Sequence, residues 1–441
     1  MRSKRSLSLS TLSAVAVGLG AATTAHSAGF QLLEQNASGL GNAYAGSAAN
    51  PENASIIYYN PAGMTYLPGL NVSGGVNLIR PSFKFKDNGD SRNPSIPGLP
   101  GTGLGGSVPT GGNGGDAGSL GVVPNLYGSW QLNEQWYIGL GIGAPFGLMT
   151  DYDDGWVGQY HSNKFDIKTI NINPSIAYKV NEKFSMGFGL NWQHIDANYK
   201  KKTVLPVPGM PLGTTGDADL NLKGDAWGWN VGFMLQPTED TRIGLSYRSK
   251  IKHTAKGDTD IDNIYPRGNS VSFDAKASVT LPDTLILSAA HQLNERWELL
   301  GDVSWTGWSS IPELKIRNSG PGARDDELPL NFRDSWRVAL GANYKFAPDW
   351  KWKFGVAFDQ SPVYQASDRP TSLPDNDRYW FSTGVQWQAG KNTTLDVGYT
   401  YLYLRKTDID TTSGNALTKG RVAGTYDSNA HILGVQLSSR F

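Results

Sequence analysis

The sequence predicts an all-β protein: a fourteen-stranded antiparallel transmembrane β-barrel with its N-terminal segment inside the lumen. Two observations carry this prediction. Stretches of alternating apolar and polar residues recur along the chain, and short polar turns separate them at a long, nearly regular spacing. Six such turns divide the barrel region into seven hairpins, and hence fourteen strands. The turns are centred on Asn133, Asn181, Thr238, Asn294, Asp349 and Lys391.

The first 27 residues have the pattern of a secretory signal peptide. A basic start ending at Arg5 precedes an apolar stretch from Leu7 to Ala22, and a small-x-small cleavage site ends at Ser27. The alternative is a first transmembrane helix, but the stretch is short and rich in Ser and Thr. We therefore expect secretion and cleavage near Ser27.

The composition fits a secreted barrel. Aromatic residues make up 11% of the 441 residues, and no later run approaches the ~18 apolar residues of a spanning helix. The chain has no Cys, which excludes disulfides and Cys-ligated metals. Its 39 basic and 39 acidic residues balance, so nothing argues for nucleic acid. We expect no metal and no cofactor.

Period-2 alternation separates a lipid face from a lumen face. Phe184, Met186 and Phe188 share one face of a strand, and Ser185 and Gly187 share the other. A soluble β-sandwich also alternates, but it does not need aromatics just after so many turns. Such aromatics are typical of an interfacial girdle. They are Trp136, Phe184, Trp297 and Trp350.

The alternation and the turns place the fourteen strands and leave long external loops between them. We expect external loops at 87–120, 200–221 and 255–269. The expected strands lie near 69–86, 121–132, 135–150, 163–180, 182–200, 222–236, 240–254, 270–292, 295–315, 331–346, 349–363, 378–389, 392–406 and 428–441.

The last strand ends on an aromatic residue. Leu433, Val435, Leu437 and Phe441 share one face, and Phe441 is the final residue. This ending resembles the signal read by the outer-membrane insertion machinery. We therefore expect that machinery to recognise the chain through Phe441.

Residues 28–68 do not alternate like a strand. They are rich in small residues and continue into Asn50-Pro51 and Asn60-Pro61-Ala62. From composition alone, a plug inside the lumen and a disordered periplasmic extension are equally compatible with this segment. The expected domains are a signal peptide over 1–27, an N-terminal segment over 28–68 and a barrel over 69–441.

Several motifs, in order along the chain, resemble the FadL family of outer-membrane transporters for long-chain fatty acids and other hydrophobic compounds. The resemblance spans the mature chain and implies a fourteen-stranded barrel plugged by an N-terminal hatch. The hatch would have Phe30 near its start and Asn60, Pro61 and Ala62 at its base. The motifs are Ala28-Gly29-Phe30-Gln31-Leu32, Ser38-Gly39-Leu40-Gly41, Asn60-Pro61-Ala62, Phe332-Arg333-Asp334-Ser335-Trp336 and Leu373-Pro374-Asp375.

The third strand contains a candidate kink. Pro145 cannot donate a hydrogen bond to the ladder, and Gly143 and Gly147 let the chain bend around Pro145 and Phe146. Pro145 could instead simply begin the external loop. The family resemblance implies an inward kink here that opens the barrel wall sideways.

Two basic residues are candidate contacts for a ligand carboxylate, since a carboxylate in a partly dry lumen needs a cationic partner. Strand parity points Lys201 inward, although the neighbouring Lys200 and Lys202 leave room for a shift of one residue. Arg333 lies on the lumen face of the expected tenth strand, before its Ala339-Leu340-Gly341 segment. The resemblance implies ligand contacts at Lys201 and Arg333; the alternative is a pair of solvated rim charges.

The expected function is passive transport of hydrophobic molecules across a Gram-negative outer membrane. Long-chain fatty acids come first, and aromatic hydrocarbons such as toluene are the alternative that the resemblance implies. We expect a monomer that contacts outer-membrane lipids. A general porin, an adhesive barrel and an enzyme are rival classes, but no Gly-x-Ser-x-Gly, His-Glu-x-x-His or P-loop motif is present. We therefore predict that the chain is not an enzyme.

Overall fold

The computed structural model describes residues 29–94, 111–204, 215–265 and 268–441, and for Tyr265 the backbone alone. The predicted signal peptide over 1–27 lies outside the described residues. Twenty strand segments form one antiparallel sheet that closes on itself, because the first and last segments pair from Asn71–Arg440 to Asp87–Gly424. No helix in the described ranges is long and apolar enough to cross a membrane.

The segments make up fourteen barrel strands, as predicted. Five strands consist of two successive segments each, and β14 is a short return that pairs with β13 outside the main wall. The segments are β1 (Leu70–Asp87), β2 (Gly121–Gln131), β3 (Trp136–Gly143), β4 (Gly147–Asp151), β5 (Lys164–Asn181), β6 (Phe184–Val204), β7 (Thr215–Thr238), β8 (Thr241–Arg248), β9 (Ile251–Tyr265), β10 (Asn269–Leu281), β11 (Thr284–Gln292), β12 (Trp297–Thr306), β13 (Glu313–Ser319), β14 (Asp326–Pro329), β15 (Ser335–Ala347), β16 (Trp350–Asp359), β17 (Arg378–Gly390), β18 (Thr393–Leu404), β19 (Thr407–Thr411) and β20 (Val422–Arg440).

The prediction of loops over 200–221 and 255–269 was wrong for most of the described positions. β6 continues to Val204, β7 begins at Thr215 and β9 continues to Tyr265. These outer ends lack the apolar set used to place strands in the sequence, but their ladder continues, with one register shift between Thr215 and Asp217. Cross-strand ion pairs support it, such as Lys200 with Asp219 at 2.7 Å.

The exposure of the strands is inverted relative to a soluble protein. Phe188 and Leu190 are 43% and 47% exposed, whereas Gly187, Gly189 and Asn191 between and beside them are buried. This inversion covers most of the barrel and forms the outward apolar band of a membrane barrel. The terminal Phe441 is 67% exposed; its recognition by the insertion machinery stays a prediction.

The aromatics after the turns contact aromatics on neighbouring strands. The ring centroids of Trp136 and Tyr178 are 4.6 Å apart, and those of Trp297 and Tyr344 are also 4.6 Å apart. Cross-strand aromatic pairs stabilise a sheet, and amphipathic rings favour the membrane interface. These contacts form an aromatic girdle at the end of the barrel where the short turns lie.

Residues 29–68 occupy the lumen. They include a short helix, α1 (Ile56–Tyr59), and a 3₁₀ turn over Pro61–Tyr66. The segment bonds to widely separated parts of the wall: the Ala37 amide donates to Gln436 on β20, and the Ala48 amide donates to Ser288 on β11. We call residues 29–68 the lumenal segment.

Inward-facing glycines in the wall make room for the lumenal segment. A Cβ atom at Gly244 would lie 1.9 Å from the Ala48 carbonyl oxygen, and one at Gly232 would lie 2.0 Å from Asn60 Oδ1. Real side chains do not approach this closely. The lumenal segment therefore sits against bare backbone at these positions.

We expect Gly244→Ala to loosen the lumenal segment without preventing barrel formation. The added methyl group overlaps the Ala48 carbonyl, and such overpacking costs about 1–3 kcal/mol. Hydrogen–deuterium exchange over residues 44–52 should increase. Gly301→Ala is the matched control, because a Cβ there meets only Leu340 at 3.9 Å. Equal exchange in the two variants would contradict the packing argument.

Candidate functional site

The third barrel strand is interrupted at the predicted position. β3 ends at the pair Gly143–Asn171, and β4 resumes at Gly147–Lys168. Three residues, from Ala144 to Phe146, thus face two on β5, which is the count of a β-bulge. Pro145 has no N–H to donate to a ladder. The break therefore falls at a residue where the loss of strand pairing leaves no backbone donor without a partner.

The strand pairing beside this break is interrupted too. Pairing between β2 and β3 ends at Leu126–Ile142, and the next bridge on this side is Gly118–Thr150. Between these two points the described residues of the two chain stretches form no strand pairing with each other. The interruption covers residues 119–125 on one side and 143–149 on the other.

The lumenal segment bonds to the interrupted strand. The Leu32 amide donates to the Pro145 carbonyl and the Gly147 amide donates to the Phe30 carbonyl, both at 2.8 Å. Gln35 Nε2 also donates to the Ala144 carbonyl at 2.7 Å. The start of the lumenal segment thus takes the place of the missing strand neighbour.

A cluster of aromatic side chains surrounds this junction. The Phe30 ring lies 5.9 Å from Phe146 and 5.0 Å from Trp308, and Phe332 lies 6.0 Å from Trp308. Trp308 is fully buried. Phe30 therefore belongs both to the segment that bonds to the break and to the apolar core of the lumen.

The first described residue is tied to a buried carboxylate. The Gly29 amide donates to Asp375 Oδ2 at 2.9 Å, and Asp375 also accepts from Ser361 and forms an ion pair with Arg378. The base of the segment is fixed elsewhere. The Asn60 side-chain amide donates to the Phe233 carbonyl at 3.0 Å, and Pro61 and Ala62 lie against Gly187.

The lumen around the segment is nearly filled. The cavity lined by Gln31, Leu33, Tyr58 and Tyr59 of the segment and by Arg248 and neighbouring wall residues holds about 40 Å³. This is space for a few water molecules and not for an acyl chain. Nothing larger than a few water molecules fits in this cavity while the segment is in its present position.

Lys201 lies on the inward face of β6 beside a larger, outer cavity of about 540 Å³. Its ammonium forms an ion pair with Asp326 on β14, and its side chain is 10% exposed. Lys200 and Lys202 pair instead with Asp219 and Asp217. Of the three adjacent lysines, Lys201 is therefore the one on the inward parity of the strand.

A second lysine, which the sequence did not single out, shares the same carboxylate. Lys419 belongs to the short helix α2 (Ala416–Lys419), and its Nζ lies 3.2 Å from Asp326 Oδ1. Burial and the nearby charge of Lys201 lower the pKa of Lys419. His161, buried next to this group, has its pKa lowered to about 3 by burial and the two lysines. Two cations thus share one carboxylate.

Arg333 lies apart from Lys201. Its Nε donates to the Ser361 carbonyl at 3.3 Å, and its guanidinium lies 4.9 Å from the centre of the Tyr364 ring. The cavity beside Lys201 is not lined by Arg333. Within the described ranges, no group of His, Asp or Glu is arranged to hold a metal ion.

Comparison with known proteins adds to this geometry. Residues 18–441 match the family model described as outer membrane protein transport protein (OMPP1/FadL/TodX). The chain is 30% identical over 443 residues to a long-chain fatty acid transport protein of Escherichia coli O6:H1, covering 94% of this chain and 95% of the relative. It is 32% identical over 460 residues to outer membrane protein P1 of Haemophilus influenzae, covering 96% and 97%.

Solved structures show the same barrel. A FadL homologue of Pseudomonas aeruginosa superposes with a TM-score of 0.83 at 25% identity, covering 94% of this chain and 100% of that one. The Ralstonia pickettii toluene transporter TbuX superposes with a TM-score of 0.64 at 19% identity, covering 93% and 100%, which supports the fold alone. With the family match, the barrel places the protein in the Gram-negative outer membrane. The chain belongs to the OMPP1/FadL/TodX family of outer membrane transport proteins.

Proposed function

We propose that this protein transports long-chain fatty acids passively, through a lumenal pocket and out sideways at the break in the third strand. The observation that carries the proposal is the interrupted strand pairing beside Pro145, whose backbone is bonded to the lumenal segment. A sideways exit suits a lipid, because each methylene exposed to water costs about 0.8 kcal/mol. A ligand leaving there enters the membrane and not the periplasm.

The charges at the outer cavity favour a carboxylate ligand. Lys201 and Lys419 share Asp326. The cavity lining as a whole has four cations, Lys201, Lys202, Arg324 and Lys419, against three carboxylates, Asp325, Asp326 and Glu327, so it carries one surplus positive charge. An entering carboxylate would complete the charge balance, and the 540 Å³ cavity beside the lysines gives it room. Arg333 is a proposed second contact, since Phe332 beside it belongs to the aromatic cluster.

The lumenal segment would be the moving part. Phe30 and its neighbours bridge the aromatic cluster and the broken strand, while Asn60, Pro61 and Ala62 are held against β6 and β7. Displacing residues 29–35 would open the space that the segment now fills. The base could stay in place, and a single barrel would suffice as a monomer.

Uptake of radiolabelled oleate and toluene tests the substrate class. The protein is expressed in cells that lack their own transporter, and uptake is compared with cells carrying an empty vector. We expect oleate uptake. Toluene uptake alone would favour the second candidate, an aromatic hydrocarbon channel, which needs no carboxylate contact.

Replacing Pro145, Gly143 and Gly147 with Val should repair the ladder and close the side opening. We expect oleate uptake to fall to near the background while the barrel still assembles, as judged by its heat-modifiable migration on gels. Pro174→Val is the matched control, because Pro174 lies in β5 opposite Leu140, where the pairing with β3 is intact. Unchanged uptake in the triple variant would exclude the lateral route.

Lys201→Gln and Lys419→Gln should each weaken oleate binding by about tenfold, the loss of one charge-assisted hydrogen bond. Toluene binding should be unaffected. Lys200→Gln is the control, since Lys200 pairs with Asp219 outside the cavity. Arg333→Gln tests the second contact in the same assay. Equal loss for oleate and toluene would remove the head-group role of these residues.

Glu34 makes the seating of the lumenal segment sensitive to pH. Both carboxyl oxygens are buried and accept no hydrogen bond from another described residue, and burial raises the pKa from its ordinary 4.5 to about 8. The backbone amide of Glu34 itself opposes this rise, as do Arg378 and Arg337, and Asp359 adds to it. While the segment is seated, the Glu34 carboxyl keeps its proton up to about pH 8. If the segment were released, the exposed carboxyl would lose that proton above pH 4.5. Seating therefore weakens as pH rises from 4.5 to about 8 and stays weak above it.

We expect hydrogen–deuterium exchange over residues 29–40, corrected for intrinsic exchange rates, to rise between pH 6 and pH 9. Glu34→Gln should flatten this profile, because the amide stays neutral throughout. Glu52→Gln provides the contrast: Glu52 pairs with Lys351 and Lys353 at 2.7 and 2.6 Å, and its loss should raise exchange equally at all these pH values. A steep profile in Glu34→Gln would contradict the assignment.

A further inference from the structure

A row of basic residues crosses the outer face of the barrel on its extracellular side. Lys223 of β7 lies directly opposite Lys256 of β9, Lys256 lies opposite Lys276 of β10, and Lys276 lies opposite Arg317 of β13. All four are exposed. Like charges placed directly opposite each other destabilise a sheet. An anionic partner would relieve this repulsion.

The chain supplies little neutralising charge to this row. Lys223 pairs with Asp196 at 3.2 Å, but Lys256, Lys276 and Arg317 form no ion pair with any described residue. The next outward positions on β9 and β10 are Asp258 and Asp274, which lie farther from the apolar band. On the membrane side of the row the exposed Asp225 of β7 pairs with His194, whereas the surface around Lys276 and Arg317 remains cationic.

A notch opens in the wall directly below Lys276 and Arg317. β10 and β13 pair only from Ala277–Ile316 outward, and nearer the membrane they diverge around the turn Trp308–Ser310. The notch holds about 400 Å³. Its cationic lining consists of Lys252, Lys276, Lys315 and Arg317, and its floor includes Val279 and Ile311.

The lining of the notch carries a net positive charge. Glu313 is the only carboxylate among the lining residues, and it pairs with Lys315 at 2.7 Å. Three cations, Lys252, Lys276 and Arg317, are left without a carboxylate from the described chain. Phosphate oxygens are strong acceptors for such groups.

The notch lies at the level of lipid headgroups. Exposed apolar residues below it, Leu285 and Leu287 on β11, face the hydrocarbon. Lys252 follows the outward-facing Tyr247 by five residues, which corresponds to roughly 10–15 Å of height for a tilted strand. A cationic notch at this height meets the headgroups of the outer leaflet.

We propose that this notch binds the phosphate groups of an outer-leaflet glycolipid of the lipopolysaccharide type. The phosphates would lie between Lys252, Lys276 and Arg317, and the apolar floor would continue into the lipid-facing surface where the acyl chains lie. Basic pockets at the level of headgroups recognise anionic lipids in this way. The site lies on the outside of the barrel and does not depend on the transport route.

Titration of the full-length mature protein in a neutral detergent with fluorescent lipopolysaccharide tests the proposal. The double variant Lys276→Gln/Arg317→Gln should bind at least about tenfold more weakly, since each cation near an anionic headgroup contributes about 1 kcal/mol. The matched control is Lys164→Gln/Lys168→Gln, which removes the same charge from lysines paired with Asp151 and Asp166. It should bind like the parent protein.

Two further arms identify the ligand. Dephosphorylated lipopolysaccharide should bind the parent protein as weakly as phosphorylated lipopolysaccharide binds the double variant. Inorganic phosphate should not displace lipopolysaccharide at equal phosphate concentration; displacement would assign the notch to free phosphate and overturn the lipid assignment. Equal affinity of the double variant and the control, with both folded by gel migration, would overturn the proposal as a whole.

Discussion

The rule that backbone hydrogen bonds must be satisfied in a membrane governs this structure. Strands that cross hydrocarbon have no water to bind, so the sheet closes and every break needs another partner. The chain breaks the ladder once on the third strand, at Pro145, and the amides and carbonyls of residues 30–32 take over part of the lost pairing. The break in the third strand and the position of the lumenal segment therefore depend on the same hydrogen bonds. A change in the broken strand is expected to affect the segment, and the reverse.

The lumenal segment is held by polar contacts with the wall as well as by apolar packing of side chains such as Leu40 and Tyr44. Wall glycines such as Gly232 and Gly244 let backbone approach backbone, and bonds such as Asn60 to the Phe233 carbonyl fix the base. Glu52 adds a buried ion pair with Lys353. The start of the segment is also bonded to the wall, through Gly29 to Asp375 and through Leu32 to the Pro145 carbonyl. Phe30 adds aromatic contacts with Phe146 and Trp308.

Period-2 alternation and turn spacing predicted the fourteen strands, because the lipid imposes the same pattern on each one. They failed at the outer ends of β6, β7 and β9, where water replaces lipid and cross-strand Lys–Asp pairs sustain the ladder. The break at Pro145 could be predicted, because the missing backbone N–H is a property of that residue alone and not of its distant contacts. Lys419 could not be found from the sequence: it meets Asp326 only because a loop after β19 folds back over β14. Contacts between distant loops leave no periodic signal in the sequence. For the same reason, the sequence could not show that Arg333 lies apart from the cavity beside Lys201.

In the extracellular part of the barrel, basic side chains lie on both the lumen face and the outer face of the wall. They would bind different anionic groups. Inside, Lys201 and Lys419 are buried and share one carboxylate, so their surplus charge is strong and is available only to a ligand that reaches the cavity. Outside, Lys276 and Arg317 are exposed, where water and salt weaken each charge, and a row of several is needed to hold an anion. Burial of the two lysines would favour selective binding of a ligand in the lumen. The number of exposed cations would favour attachment to the surrounding leaflet. The strand register places Lys201 inward on β6 and Lys276 outward on β10, and so keeps these two proposed roles on opposite sides of the wall.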